Sequence, residues 1–156
     1  LVATAKKVNE VISLCVTPCV VLSGNPIASA SEAFNAVKID AGDMGNIMLY
    51  GMGAGKYPTA SAIISDMIYA AGMRDKHHSE RGWYDLSKVA EYADIRYAWC
   101  VLAQASSDEI ASVLPKACFL SRAEDECTFI CEDISLKELK EKMSEFTIRK
   151  LIRALV

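Results

Sequence analysis

Three glycines stand on alternate positions immediately before a proline and a helical pattern. The stretch "YGMGAGKYPTASAIISDMIYAAG", residues 50–72, contains Gly51, Gly53 and Gly55, and Pro58 follows shortly after them. Glycine has no Cβ and lets another backbone or a ligand approach closely, and a helix that begins near Pro58 would direct its free N–H groups towards that place. The spacing therefore predicts a strand-to-helix turn. It either packs tightly against a neighbouring strand or receives an anion or a polar cofactor group.

Two well-known glycine motifs do not fit this turn. A P-loop requires G-x-x-x-x-G-K-[ST], but the residue five positions before Gly55 is Tyr50, and Lys56 is followed by Tyr57 instead of Ser or Thr. A Rossmann fingerprint requires G-x-G-x-x-G, whereas the glycines here are spaced as G-x-G-x-G. The turn is therefore neither of these phosphate-binding motifs.

A one-sided apolar pattern follows Pro58. Its members recur at helical spacing, and Gly72 is placed to end the helix: Ala60, Ile63, Ile64, Met67, Ile68 and Ala71. The pattern predicts a helix over Pro58–Ala71 that covers one face of a sheet.

Four β-rich runs precede the glycines and predict two hairpins. Residues 1–8 and 11–22 are separated by a turn at Asn9-Glu10, and Pro18 favours a strand end or an edge. Residues 36–39 and 46–51 flank the glycine-containing turn "DAGDMG", and a short helix is predicted around Ser31–Asn35. The fold class predicted for residues 1–72 is α+β, a mixed sheet with helices on one face.

The pattern changes after a charged stretch at residues 73–93, which we interpret as a linker. Residues 94–156 contain a strand, a short helix, a hairpin turning at Ala123–Glu126, a helix opening with Ser135 and Glu138 as a capping box, and a last run, "TIRKLIRAL". That run fits a helix or a strand. If it is a strand, the order is βαββαβ, the ferredoxin-like arrangement.

Composition excludes several classes of function. A net charge of -3 with no basic stripe argues against nucleic-acid binding, and no apolar run is long enough to span a membrane. The N-terminus also lacks a hydrophobic signal core. The sequence therefore indicates a soluble, cytoplasmic protein.

Six cysteines and two histidines do not form a metal-ligand pattern. No C-x-x-C pair is present, and Cys127 and Cys131 stand on a strand-like run that would separate them by about 13 Å. The adjacent His77 and His78 lie in a polar stretch, which favours a surface linker. We therefore predict buried, reduced cysteines and no metal site.

Several motifs in one order resemble a known family. "MLYGMGAGKYPTASAIISDM", preceded by "VTP", "NPIAS" and "FNAV", closely resembles the substrate and dimerisation domain of homoserine dehydrogenases. The likeness extends over about seventy residues, from Leu1 to Ala71. It implies an NAD(P)-dependent enzyme that interconverts L-homoserine and L-aspartate 4-semialdehyde in threonine and methionine biosynthesis, and that forms a homodimer or a higher homo-oligomer.

The resemblance also assigns roles to single residues. In the family the last glycine of the turn and the threonine four residues later approach the cofactor, which places Gly55 and Thr59 at the nicotinamide dinucleotide, with Gly53 beside them. The family's Rossmann domain, catalytic lysine and substrate carboxylates would lie N-terminal to this segment, so no catalytic residue is assigned here. Lys56 follows the wrong motif to be that lysine. The chain alone is expected not to turn over substrate.

The C-terminal segment resembles the ACT domain that many of these enzymes append. Such domains commonly bind an amino acid in the loop after their first strand, which makes an amino-acid effector, threonine in this family, the expected ligand. The corresponding loop, "AQASSDEIASVL", contains no glycine. A structural or dimer-forming module is the alternative to an effector site.

A different class of function also fits these observations. The chain could be a non-catalytic amino-acid-sensing or assembly module that kept the scaffold without the chemistry. A G-x-G-x-x-G strand-turn-helix encoded upstream of Leu1 would favour the enzyme, and an initiator codon at or just before Leu1 would favour the module.

Overall fold

The computed structural model describes residues 1–8, 10–74 and 88–156 and divides them into two compact units. The first unit contains Leu1–Leu22 and the described residues from 88 to 156, and the second contains those from 23 to 74. The described strands are β1 (Val2–Val8), β2 (Val11–Thr17), β3 (Cys19–Val21), β4 (Phe34–Asp40), β5 (Asn46–Met52), β6 (Arg96–Gln104), β7 (Cys118–Arg122), β8 (Cys127–Ser135) and β9 (Thr147–Leu155). The described α-helices are α1 (Lys56–Gly72), α2 (Ser107–Val113) and α3 (Leu136–Lys142).

Strands β1 and β2 form an antiparallel hairpin, which confirms the first predicted hairpin. Their register pairs Val8 with Val11 and Val2 with Thr17. The Ser13 hydroxyl donates a hydrogen bond to the Lys6 carbonyl at 3.3 Å across the pair. Pro18, which has no N–H for a sheet, separates this hairpin from β3, as expected for a strand end.

A five-stranded mixed sheet dominates the first unit, with the order β3-β9-β6-β8-β7. Strand β3 runs parallel to β9, and the other neighbours are antiparallel. The run "TIRKLIRAL" is therefore a strand. The predicted turn at Ala123–Glu126 is confirmed by a hydrogen bond of 2.8 Å from the Ala123 N–H to the Glu126 carbonyl.

The core of this unit lies between one face of the sheet and the helices α2 and α3. Alternate residues of β6, Trp99 and Val101, point into the core and meet Phe129 from β8. Ile110 of α2 and Leu139 of α3 are completely buried against them. The two-residue period of the strand and the single buried position of each short helix are the burial pattern of a sheet covered on one side.

The capping box forms at a different helix from the one predicted. Ser135 caps α3, since its hydroxyl accepts from the Glu138 N–H at 3.1 Å, but the Glu138 carboxylate pairs with Arg96 at 2.8 Å. The reciprocal box lies at the start of α2, where Ser106 and Glu109 each bond the other's backbone N–H. The prediction of a capping box at Ser135 was wrong because Arg96 of β6 pairs with the Glu138 carboxylate.

The capping box at α2 contributes to stability in a way that depends on pH. Bonds donated by the Ser106 hydroxyl and then the Ser106 N–H hold the pKa of the Glu109 carboxyl below its usual value. A lowered folded-state pKa stabilises the fold above the unfolded value, about 4.3, and this contribution disappears as pH falls through the folded value. We expect Glu109→Gln to destabilise the protein at neutral pH, and the difference from wild type to shrink as the pH falls below about 4.3 in unfolding titrations. Glu141→Gln, at an exposed position of α3, is the control and should show no such convergence.

The second unit contains the β4–β5 hairpin and α1. The pairing of Ile39 with Ile47 and of Phe34 with Met52 confirms the second predicted hairpin. The helix predicted around Ser31–Asn35 was wrong, because β4 begins at Phe34 and the preceding helical turn, a 3-10 turn, spans Pro26–Ser29.

The single mixed sheet predicted for residues 1–72 was also wrong. Strands β1 and β2 form one two-stranded sheet, β4 and β5 form another, and β3 joins the five-stranded sheet. Helix α1 has no buried residue, and Ile68 of its apolar stripe is 69% exposed. The described residues therefore contain no strand that covers this stripe, although the stripe itself is present at the predicted spacing.

Candidate functional site

The glycine stretch forms the predicted strand-turn-helix. Strand β5 ends at Met52, and α1 begins at Lys56, two residues before the predicted start at Pro58. The turn brings together all three residues predicted to bind the cofactor. Gly53 follows the strand, Gly55 is the N-cap of the helix, and Thr59 lies in its first turn.

Gly55 has a backbone conformation that only glycine adopts readily. Its φ is 118° and its ψ is 159°. A Cβ at this position would meet Pro58 Cδ at 3.6 Å, an ordinary contact distance. Backbone conformation therefore explains the glycine better than lack of space does, since any side chain would strain this region of φ and ψ.

Gly53 is close to a side chain that the sequence did not indicate. A Cβ on Gly53 would overlap the side-chain amide of Asn35, which lies on β4. The Gly53 N–H donates to the Ala33 carbonyl at 2.8 Å, and this bond fixes the backbone of the turn. Asn35 thus supplies a polar amide next to the turn. Only the register of β4 with β5, which pairs Asn35 with Gly51, shows this position.

The positive charge at the N-terminal end of α1 is not neutralised by side chains of the helix itself. No side chain caps it, and its first turn contains no acidic residue. The Thr59 N–H donates to the Gly55 carbonyl at 3.1 Å, while the N–H groups of the residues before it precede the first intrahelical bonds. The positive end of the helix dipole therefore faces an accessible turn, an arrangement that favours an anion or a polar acceptor.

Two further side chains border this turn. Tyr57 is 80% exposed, and the Lys56 ammonium lies 5.7 Å from the centre of its ring. An exposed aromatic ring beside a positive helix terminus can stack against a flat, charged ligand. In the sequence, only the position of these two residues between the glycines and Pro58 relates them to the turn. That position alone does not show whether a residue contacts a ligand or is merely exposed to solvent.

The cysteines follow the prediction only in part. Cys127 and Cys131 are buried, and burial raises the pKa of the Cys131 thiol to about 11. Cys15, Cys19 and Cys100 are half-buried, so the prediction of buried thiols holds for them only in part. It was wrong for Cys118, which is exposed and stands on the edge strand β7.

Neither a metal nor a membrane feature is found in the described ranges. Within residues 1–8, 10–74 and 88–156, no group of three or more His, Cys, Asp or Glu is arranged to hold a metal ion. His77 and His78 lie outside the residues that the structure describes. None of the helices within those ranges combines the length and the apolar character that crossing a bilayer requires.

The segment that contains this site is similar to known proteins. The family model for homoserine dehydrogenase matches residues 1–68, which include the turn and most of α1. The match covers less than half of the 156-residue chain, and over these residues the chain is similar to homoserine dehydrogenases. The homoserine dehydrogenase of Mycobacterium leprae is 39% identical over 92 residues, which are 59% of this chain and 20% of that protein. That of Corynebacterium glutamicum is 41% identical over 78 residues, 50% of this chain and 17% of that protein.

Solved homoserine dehydrogenases share the fold over nearly the whole chain. The Thiobacillus denitrificans enzyme superposes with a TM-score of 0.73 at 18% identity, covering 97% of this chain and 41% of that one. A Staphylococcus aureus enzyme gives 0.57 at 16% identity and covers 93% of this chain and 37% of that one. The fold similarity thus extends beyond the family-model match, while the chain spans only about a fifth of the curated relatives' length.

Proposed function

We propose that this chain is part of an NAD(P)-dependent homoserine dehydrogenase and that its glycine turn binds the cofactor. The observation that carries the proposal is the conformation of Gly55, which caps a helix with a free, positive N-terminus inside the matched segment. A dinucleotide carries phosphates and a polar amide, the groups that a helix N-terminus and a nearby Asn35 amide suit. In this proposal Gly53, Gly55 and Thr59 hold the cofactor.

The proposed reaction interconverts L-homoserine and L-aspartate 4-semialdehyde, in the cytoplasm, on the route to threonine and methionine. The bound nicotinamide supplies the hydride chemistry. The residues described here contribute binding: the turn lets the cofactor approach the backbone, and the Thr59 hydroxyl offers one hydrogen bond. Catalytic residues are proposed to lie outside this chain, so residues 1–156 alone should not turn over substrate. The matches name the enzyme, and they do not favour the non-catalytic module.

The proposal is tested by comparing the chain with the longer protein. We expect a full-length protein that contains this segment to reduce NAD⁺ or NADP⁺ in a homoserine-dependent manner, and the purified 156-residue chain to show no turnover. The absorbance of the reduced nicotinamide measures the reaction. A full-length protein that is folded but inactive with homoserine would contradict the proposal.

We also infer that the protein associates with itself through apolar surfaces of the second unit. Exposed apolar side chains lie along α1, and others line one face of the β4–β5 hairpin. Large exposed apolar patches commonly mark sites of protein–protein interaction. The exposed side chains are Ile63, Ile64, Met67 and Ile68 on the helix and Val37, Ile39, Ile47 and Leu49 on the hairpin.

A single charge should weaken this association. We expect Ile64→Lys to lower the weight-average mass in sedimentation velocity, because a lysine cannot be buried unpaired. Ser65→Lys adds the same charge at the next position, away from the stripe, and is the matched control. A wild-type mass that stays monomeric at every concentration would contradict the inference.

For the C-terminal part we propose a ferredoxin-like, ACT-like domain over residues 94–156. Its support is topological. The elements β6, α2, β7, β8, α3 and β9 follow the order βαββαβ, and their strands are arranged as β9-β6-β8-β7. An amino acid is the proposed effector class, and the absence of glycine from the loop after β6 makes an assembly role the alternative. A thermal shift on adding threonine would separate the two.

A further inference from the structure

The side-chain amide of Asn35 occupies the space that a side chain at Gly53 would fill. A Cβ on Gly53 would overlap Asn35 Nδ2 and would lie 2.5 Å from Asn35 Cγ. The other glycines of the turn differ in this respect. A Cβ on Gly51 meets nothing within 4 Å, and one on Gly55 meets Pro58 Cδ at 3.6 Å, an ordinary contact distance. The missing side chain at Gly53 therefore makes room for one particular amide.

Strand pairing places this amide at the end of the β4–β5 hairpin. Asn35 of β4 pairs with Gly51 of β5, and residues two positions apart on a strand share a face, so Asn35 and Gly53 lie diagonally on the same face. Asn35 is the polar residue of that face and lies at the end next to the turn. The other side chains of the face are apolar: Val37, Ile39, Ile47 and Leu49.

The hydrogen-bonding groups of this amide are not used within its unit. Asn35 is exposed, and none of the side-chain hydrogen bonds found among residues 23–74 involves it. The backbone of the turn does not depend on it, because the Gly53 N–H donates to the Ala33 carbonyl at 2.8 Å. An amide offers two N–H donors and an acceptor oxygen. These groups are therefore available to a ligand that lies over the turn.

We propose that Asn35 determines cofactor specificity by binding the carboxamide of the nicotinamide ring, an inference that rests on the proposed function of the turn as a cofactor site. A side-chain amide and a primary carboxamide are complementary, because each can donate an N–H to the oxygen of the other. The pair therefore forms two hydrogen bonds. In this arrangement Gly53 leaves space for the amide, and Asn35 selects the group that the turn accepts.

A cofactor analogue with an acetyl group in place of the carboxamide provides the probe. This acetylpyridine dinucleotide keeps the carbonyl oxygen but carries a methyl group instead of the NH₂ group, so it can form only one of the two hydrogen bonds with Asn35. Losing one hydrogen bond weakens binding by about threefold. Other differences between the two ligands cancel when the ratio of their dissociation constants is compared between protein variants.

Binding titrations of both ligands to the full-length protein that contains this segment decide the proposal. We expect Asn35→Ala to reduce the preference for the cofactor over the analogue by about threefold. Asn35→Asp should weaken both ligands but keep the preference, because its carboxylate still accepts from the carboxamide NH₂ group. Asn46→Ala, at the exposed far end of the hairpin, is the matched control and should change neither affinity. An unchanged preference in folded Asn35→Ala protein would overturn the proposal.

Gly53→Ala tests the shared space independently. Its Cβ would displace the Asn35 amide, so the preference should fall as it does in Asn35→Ala. The double variant Asn35→Ala/Gly53→Ala should bind the cofactor about as well as Asn35→Ala alone, because the new Cβ then has room. Additive losses would contradict this geometry. Wild-type protein that binds neither ligand would overturn the proposed function together with this inference, whereas binding with a preference independent of Asn35 overturns the inference alone.

Discussion

Phe129→Ala is expected to lower the free energy of unfolding by about 3–5 kcal/mol. Phe129 lies on β8 of the five-stranded sheet and is completely buried, and its ring packs against that of Phe119 on β7 at a centroid distance of 5.8 Å. It also belongs to the buried cluster that holds Ile110 of α2 and Leu139 of α3. Truncation removes the largest of the completely buried side chains in this core and leaves a cavity that short, firmly packed helices cannot collapse to fill.

Chemical denaturation of the two proteins measures this effect. Leu120→Ala is the matched control, because Leu120 lies on the neighbouring strand β7 and is 53% exposed. It should change the free energy of unfolding by less than about 1 kcal/mol. If both substitutions had equal effects, the sheet would not be the stability core of this chain.

The C-terminal elements could be predicted because their sequence and their packing agree. Apolar residues alternate along β6 and β8, the alternate ones fill one core, and a strong turn connects β7 to β8. Local pattern and burial within the chain therefore indicate the same structure. The ambiguous run at β9 became a strand because β6 supplies a partner for it over Ala98–Gln104. Strand β6 is remote from β9 in the sequence, so the periodicity of β9 alone could not decide between a helix and a strand.

The arrangement of the N-terminal elements could not be predicted in the same way. Each hairpin was correctly found from its turn, but turns fix only local pairing, and β3 pairs with β9 more than 130 positions away. The apolar stripe of α1 predicts a sheet in the same chain, and the described residues contain no strand that covers it. A one-sided stripe indicates that a helix face is to be covered, without showing which molecule or segment covers it.

At the glycine turn, too, local features could be predicted from the sequence and contacts with other strands could not. Its shape followed from local chemistry, since Gly55 is needed wherever a chain adopts this φ and ψ before a helix. The Asn35 amide beside Gly53 depends on the register of another strand. Cys15 of β2, Tyr97 of β6 and Arg153 of β9 lie in contact, and no spacing motif in the sequence predicts this cluster.

Gly55→Val is expected to weaken nicotinamide cofactor binding by the full-length protein by about fivefold to 150-fold, which corresponds to about 1–3 kcal/mol. A β-branched residue cannot adopt a φ of 118° and a ψ of 159° without strain. The backbone would then leave the conformation that opens the helix N-terminus, and the valine methyl groups would occupy the space through which a ligand approaches. Titration of the cofactor, with unfolding measured in parallel, separates lost affinity from lost fold.

Two further substitutions serve as comparisons for the effect of Gly55→Val on cofactor affinity. Thr59→Ala should cost less, about 0.5–1.5 kcal/mol, because it removes at most one hydrogen bond. Gly51→Ala is the matched glycine control: a Cβ there meets nothing within 4 Å, and Gly51 does not have a positive φ. Homoserine affinity at saturating cofactor should change less than cofactor affinity in both Gly55→Val and Thr59→Ala, since the reacting groups are proposed to lie elsewhere in the full-length protein. If folded Gly55→Val protein bound the cofactor as well as Gly51→Ala does, the turn would serve packing alone.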